Sequence, residues 1–334
     1  MSKAKITLLG YYGYQNAGDE WLCEQAQRVL LKVWPSAEFR VVSRKSWMGV
    51  FSALLWSKEL VLGGGSLFQD KSSRLSLLYY AGICALAIGL GQRVFVLGNG
   101  IGPVSTEMGK WVMRRLATRF TAVIARDEES RKLFKSFGVP DDRLVLSSDL
   151  AFFEKNHIDA TRPPAPLSNL DPTRVVIGLN LRPSAFQSRL KAALGKLPFS
   201  TRLGIAAHHL QDPPSIRAIF PNLPFHTLPL SIDQAKRENA PCDVLIAMRF
   251  HAIVWAVWHH IPCIAIADDD KTLNFAKELR IPVVDLRSLS YESDAKMIFN
   301  ALFEPVPHPD VVSYDIKTFV DLANHLPEVL RRYA

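Results

Sequence analysis

Short apolar runs alternate with stretches of helical length along almost the whole chain. The runs Ile6–Leu9, Glu38–Ser43, Glu59–Leu62, Arg93–Leu97, Thr121–Ala125 and Leu144–Ser147 read as strands. Between them, helices are predicted to about Val33, over Leu75–Leu90, over Thr106–Thr118 and over Glu128–Phe137, the last capped by Asp127. Glu154–Thr173 breaks this alternation with Pro163, Pro164, Pro166 and Pro172 and no sustained apolar period. The alternation then resumes. Val175–Leu181, Arg202–Ala207, Asp243–Ala247, Cys263–Ala267 and Val283–Asp285 read as strands, Phe250–Trp258 as a helix, and Tyr314–Ala334 as mostly helical.

Alternating strands and helices predict right-handed βαβ units around parallel sheets, an α/β class. The expected organisation is an N-terminal Rossmann-like domain over 1–155, a Pro-rich linker over 156–173, a C-terminal Rossmann-like domain over 174–313 and a helical segment over 314–334. The architecture expected is two Rossmann-like domains facing across a cleft. In such sheets the carboxyl ends of the strands carry the ligands.

Composition narrows the partners. The 334 residues are 48% hydrophobic and 22% charged, an ordinary globular balance. The formal charge of +8 and pI near 9.3 favour an anionic partner. Lys and Arg are dispersed and match no nucleic-acid motif, so a nucleic-acid partner is not expected. Cys23, Cys84, Cys242 and Cys263 are far apart and mostly in apolar runs, which predicts reduced core thiols and a cytoplasmic location, with no metal site. MSKAKITLLGYYG lacks the long apolar region of a signal peptide. Leu75–Leu90 is shorter than the ~20 residues of a membrane span and reads as a helix buried on a sheet.

Candidate chemistry gathers at predicted strand ends. The first loop places glycines at 10, 13 and 18, which is not the G-x-G-x-x-G dinucleotide fingerprint, and Ser43-Arg44 stands where an acidic residue would close the second strand. A dehydrogenase is therefore disfavoured. Asn16 and Asp19, at the loop–helix junction, could bond sugar hydroxyls or simply cap the helix. Gly63–Ser66 and Gly98–Pro103 let backbone approach a ligand closely, and Gln69 and Asp70 follow the first of them as candidates for holding an acceptor. Arg126 ends a strand, as a ligand cation or as half of a salt bridge. Arg249 and His251 flank Phe250 where a strand gives way to a helix, and Lys271 follows the next strand. A helix N-terminus with Arg, His and Lys suits a phosphate or carboxylate. His208-His209 ends another strand at the same edge, whereas His259 and His260 read as structural.

Trp47–Trp56, WMGVFSALLW, has two readings. It is either a short helix packed on the sheet or an amphipathic face resting on a membrane that carries a lipid-linked substrate.

Taken in order, GYYGYQNAGDE, LVLGGGSLFQD, GNGIGP, VIARDEES, IGLNLRP and AMRFHAIVWA resemble the polysaccharide pyruvyl transferase family, in particular its bacterial CsaB-like branch. The resemblance covers most of the chain. It implies a glycosyltransferase-B-like fold and transfer of pyruvate from phosphoenolpyruvate onto two hydroxyls of a sugar, forming a cyclic ketal. In that branch the acceptor is a cell-wall polysaccharide, typically through N-acetylmannosamine, and the product retains S-layer-type proteins. The family's phosphoenolpyruvate-binding arginine falls on Arg126, its Arg-x-His pair on Arg249 and His251, and its downstream lysine on Lys271, although DDDK departs from the usual Tyr-Asp-x-Lys. His251 is then the expected proton donor. Arg126, Arg249 and Lys271 are the expected partners of the donor's anionic groups, and no cofactor is called for. A nucleotide-sugar glycosyltransferase of the same architecture is the alternative, and a non-catalytic binding protein the third class.

Overall fold

A computed structural model describes residues 3–43, 46–70, 74–154, 174–197, 201–288, 296 and 316–334. The predicted linker 156–173 lies outside the described residues. The chain divides into two compact units. The first comprises Met1–Tyr14, Asp19–Lys155 and Thr318–Ala334, and the second Gln15–Gly18 and Asn156–Lys317.

In the first unit, strands β1 (Lys5–Leu9), β2 (Glu38–Val42), β3 (Glu59–Gly63), β4 (Arg93–Asn99), β5 (Ala122–Ala125) and β6 (Leu144–Leu146) form one sheet of order β2-β1-β3-β4-β5-β6. Every pairing is parallel. Strands covered on both faces read as unbroken apolar runs, and all residues of β3 and β5 are buried. Glu59 is the polar exception, matched by Arg93 Nη2 at 2.8 Å. The helices α1 (Ala17–Val33), α2 (Trp47–Trp56), α3 (Arg74–Gly89), α4 (Glu107–Ala117) and α5 (Glu128–Ser136) connect the strands. Val50 and Leu54 of α2, Leu77 and Ile83 of α3, Met113 of α4 and Phe134 of α5 share one core, so these four helices form a layer on one face of the sheet. Asp127 caps α5, accepting from Ser130 N at 2.7 Å.

The second unit repeats the plan. Strands β7 (Val176–Asn180), β8 (Thr201–Ala206), β9 (Phe225–Thr227), β10 (Val244–Ala247), β11 (Cys263–Ala267) and β12 (Val283–Asp285) pair in the order β9-β8-β7-β10-β11-β12, again all parallel. Helices α6 (Gln187–Gly195), α7 (Asp212–Arg217), α8 (Ile232–Arg237), α9 (Phe250–Trp258) and α10 (Asp270–Glu278) complete it. Every residue of α9 is buried, as its unbroken apolar sequence demands.

One short segment groups differently from the expected domain bounds. Gln15–Gly18 belongs with the second unit, where Asn16 bridges His208, Ala17 N donates to Ala207 O at 2.9 Å and His209 N donates to Gln15 O at 2.9 Å. At the other end, helices α11 (Ile316–Asn324) and α12 (Leu326–Arg331) bring Thr318–Ala334 onto the first unit. Ser147 Oγ donates to Leu322 O at 3.1 Å, and Arg93 Nη1 donates to Tyr333 O at 2.9 Å. The four cysteines are free and buried, and burial pushes the thiols of Cys23 and Cys242 up to about 12. No helix among the described residues is long and apolar enough to cross a membrane.

Candidate functional site

Both sheets have the doubly wound strand order, in which the connections reverse direction once. In the second unit the reversal falls between β7 and β10, where open α/β sheets bind their ligands beyond the strand ends. Asn180 ends β7 and Arg249 follows β10 at that point. Asn180 is fully buried. Its Oδ1 accepts from Arg249 N at 3.0 Å, and its Nδ2 donates to Ile205 O at 2.9 Å and to Asp212 Oδ2 at 3.0 Å. One amide thus ties together the ends of β7, β8 and β10.

Asp212, at the start of α7, is also fully buried. Its Oδ2 accepts from Ala207 N and His208 N at 3.0 and 2.8 Å. Its Oδ1 accepts from Arg249 Nε at 2.6 Å. A desolvated carboxylate needs such partners, and here they aim the arginine. Gln211 Oε1 accepts from Arg249 Nη2 at 3.0 Å, so the guanidinium is held along one side. The sequence reading missed Asp212. In DPP it looks like a helix start, and nothing local couples it to a residue 37 positions away.

Arg249 is the N-cap of α9, and His251 stands in the first turn. Phe250 turns inward, its ring 4.0 Å from that of Phe275 and 5.0 Å from the imidazole. His251 is buried, and Gly18 lies against it: a β-carbon on Gly18 would stand 2.0 Å from Nδ1 and 2.3 Å from Cγ. Lys271 Nζ sits 4.6 Å above the Phe250 ring, a cation–π contact that brings the lysine back over the Arg-x-His turn. The three aspartates before and beside it are engaged elsewhere. Arg182 bonds Asp268 and reaches Asp269 at 2.6 Å, Asp269 caps α10 through Thr272 N at 2.8 Å, and Asp270 pairs with Arg287 at 2.6 Å. Burial raises the Asp269 carboxyl, but Arg182 and the Thr272 bonds outweigh it and hold the group at about 2. Arg249, His251 and Lys271 therefore gather at one helix N-terminus, where backbone N–H groups add further donors for an anion.

In the first unit, Arg126 follows β5 and is buried beneath the glycine turns. Its Nη2 donates to Ser66 Oγ at 3.4 Å, and a β-carbon on Gly100 would stand 2.3 Å from that nitrogen. The salt-bridge reading holds as well, since Asp127 lies 3.3 Å and Asp149 3.6 Å from the guanidinium. Gly64 and Gly65 both take φ +77°, a conformation that favours glycine, and Asn99 braces Gly64 through N and O at 3.2 and 2.8 Å. Asp19 lies beside this turn, with Oδ1 3.8 Å from where a Gly65 β-carbon would be. Gln69 is half-buried just beyond it.

Three acceptor candidates carry structural hydrogen bonds. Asp70 accepts from Ser105 N, Thr106 N and Thr106 Oγ1 at 2.8, 2.8 and 2.6 Å, which clamps the start of α4. Burial works against its charge, but these bonds win and its carboxyl lies below the ordinary value. His209 Nε2 bonds the carbonyl of Leu228 at 2.8 Å. His208 is buried, and its Nδ1 accepts from Leu210 N at 3.4 Å. Burial and then the nearby Arg249 lower its pKa, against a smaller opposing pull from Asp212. Asn16 stays half-buried on its backbone bridge to His208.

Fold and residues together define a doubly wound α/β protein with basic side chains gathered at a strand-order reversal. The sequence matches the polysaccharide pyruvyl transferase family over residues 16–270. It is also 22% identical over 263 residues to the amylovoran biosynthesis protein AmsJ of Erwinia amylovora, covering 68% of this chain and 61% of that one. The chain thus spans about three fifths of the length of this relative. Among solved structures, a UDP-N-acetylglucosamine 2-epimerase of Neisseria meningitidis bound to UDP-GlcNAc has a TM-score of 0.61 at 10% identity, covering 98% of this chain and 99% of that one. Anabaena HepE in complex with UDP-glucose has a TM-score of 0.54 at 12% identity, covering 98% of each chain. These structures share the glycosyltransferase-B-like fold of two Rossmann-like domains. The chain belongs to the polysaccharide pyruvyl transferase family.

Proposed function

We propose that this protein is a ketal-pyruvyl transferase that moves pyruvate from phosphoenolpyruvate onto two hydroxyls of a sugar in a surface polysaccharide. The observation that carries this is the Arg249–Phe250–His251 turn: a guanidinium oriented by a buried carboxylate, an imidazole in the first helical turn, and Lys271 above the intervening ring. The donor carries a carboxylate and a phosphate, which suit Arg249, Lys271 and the helix N-terminus. Arg126 enters this reading from the motif VIARDEES in which it stands.

His251 gives a proton to the methylene carbon of the donor, which becomes the methyl group and leaves an oxocarbenium-like centre at the adjacent carbon. One sugar hydroxyl adds there and returns its proton to His251. Phosphate departs with the proton of the second hydroxyl, whose oxygen closes the ring. Atoms balance as one ketal and one inorganic phosphate.

The acceptor in this reading is N-acetylmannosamine of a cell-wall glycan, as in the CsaB-like branch, with Asp19 and Gln69 of the first unit as candidate hydroxyl partners. The product would serve S-layer-type anchoring. The reaction is placed on the cytoplasmic side, at the inner face of the membrane if the acceptor is lipid-linked. The second reading, a nucleotide-sugar glycosyltransferase, is suggested by the UDP-sugars in the neighbouring structures. One assay separates the two. The protein is incubated with a β-linked N-acetylmannosamine glycoside and either phosphoenolpyruvate or UDP-sugars. Phosphate release with a mass gain of pyruvate less water supports the first reading; a hexose gain with UDP release replaces it with the second.

A further inference from the structure

Helix α2 turns Val50, Ala53 and Leu54 into the core and leaves Trp47, Met48, Phe51 and Leu55 half exposed or more. These four occupy one stripe of the helix, beside the buried one. The apolar surface continues across the layer. Trp47 packs edge-on against Tyr79 of α3 at 5.0 Å, and Leu75, one turn before Tyr79, is exposed beside it. Leu77 of α3 reaches the first turn of α4, its Cδ2 2.9 Å from a β-carbon position on Gly109. There Met108 and Trp111 are again more than half exposed. Large apolar side chains standing in water across three adjacent helices are not scattered surface residues.

The charges on the same helices are mostly positive. Over the described side chains of α2, α3 and α4 there is one acidic residue, Glu107, against Lys110, Arg114 and Arg115. Glu107 is itself paired with Lys110 at 2.7 Å. Arg115 lies 5.1 Å over the Trp111 ring, an aromatic and a cation presented together. We infer that this face docks on an anionic lipid bilayer, with Trp47, Met48, Phe51 and Trp111 entering the headgroup region and the basic residues meeting lipid phosphates. A second copy of the chain fits worse, because a symmetric contact would set three bases and one acid against the same set. Contact is peripheral, since no described helix can span.

The first turns of α3 and α4 follow β3 and β4, so the face adjoins the sheet edge that carries the glycine turns, Asp19 and Gln69. A lipid-linked acceptor would therefore arrive beside them. The docking inference does not depend on the donor, and its failure would leave the pyruvyl reading standing.

The test is co-sedimentation of the full chain with vesicles of phosphatidylcholine alone or mixed with phosphatidylglycerol. Wild type should pellet with the anionic vesicles and remain in solution with the neutral ones. The triple variant M48S/F51S/L55S, whose side chains already face water, should keep its thermal midpoint and lose about tenfold or more in partitioning. Wild type staying in solution with both vesicles would overturn the inference, as would a folded triple variant that pellets like wild type. A wild-type dimer in light scattering that the triple variant converts to monomer would also overturn it, in favour of a self-interface.

Discussion

Gly18 is pressed against His251: the space a β-carbon would take at residue 18 lies 2.0 Å from the imidazole Nδ1 and 2.6 Å from the histidine's own Cβ. No rotamer adjustment at residue 18 removes such an overlap, because Cβ is fixed by the backbone. Gly18→Ala should therefore displace the imidazole and reproduce His251→Ala. Both variants should lower kcat for ketal formation by about 10²–10⁴-fold, the usual range for a lost acid–base group. His251→Ala should retain phosphoenolpyruvate binding. The double variant removes both sides of the clash, so it should be no slower than His251→Ala alone. Multiplying losses in the double variant, measured by phosphate release, would break the link between the two residues.

A second glycine stands in the same relation to the other candidate cation. A β-carbon on Gly100 would meet Arg126 Nη2 at 2.3 Å and Ser66 Oγ at 2.9 Å. Gly100→Ala should push the guanidinium off Ser66, raising KM for phosphoenolpyruvate more than it lowers the thermal midpoint. Arg126→Met should do both, because Asp149, nearly fully buried, loses the cation 3.6 Å away. The expected destabilisation is about 3 kcal/mol, typical of a buried pair broken from one side. It is checked by urea unfolding. An Arg126→Met protein as stable as wild type would show that the pairing with Asp149 carries no weight.

What the sequence shows clearly is what parallel sheets write locally. Buried parallel strands are short apolar runs, and they stop at glycines or polar residues where ligands bind, so Gly63–Ser66, Arg126, Arg249 and His251 all stand out. Lys271 is legible for the same reason, although only the structure shows three aspartates neutralised around it. Contacts made across the sequence leave no such mark. Asp70 after a glycine turn gives no local sign of the bond by which it clamps Thr106. Gln15–Gly18 reads as part of the first domain, yet its backbone bonds go to Ala207 and His209. Strand β9 is three residues at a sheet edge, too short for its alternation to be seen.

The carboxylate that orients Arg249 is the plainest of these hidden residues. Asp212→Asn keeps the shape but removes the charge and sets an amide where Oδ1 and Oδ2 now accept from Arg249, Asn180, Ala207 and His208. The variant should lose about 3 kcal/mol of stability. If Asp212 acts on the donor through Arg249, KM for phosphoenolpyruvate should rise more than kcat falls. Asp212→Glu should not rescue, because no space is left around a fully buried side chain. An Asp212→Asn enzyme with unchanged KM at a temperature where it is folded would reduce the residue to a structural brace.

Acid should act on the second unit through Asp269. Its folded value of about 2 lies below the ordinary 3.8, because the charge of Arg182 and the cap bonds outweigh burial. A group whose folded pKa is depressed stabilises above its unfolded value and loses that stabilisation as pH falls through the folded one. The window is therefore about pH 4 down to about 2, and the amount on the order of 2 kcal/mol. Asp269→Asn should be less stable than wild type at pH 7, since it leaves Arg182 with Asp268 alone, and the gap should close as the wild-type carboxylate is protonated. Urea midpoints for both proteins at pH 7, 5 and 3 would measure this. A gap that stays constant over that range would mean that Asp269 acts through its hydrogen bonds and not through its charge.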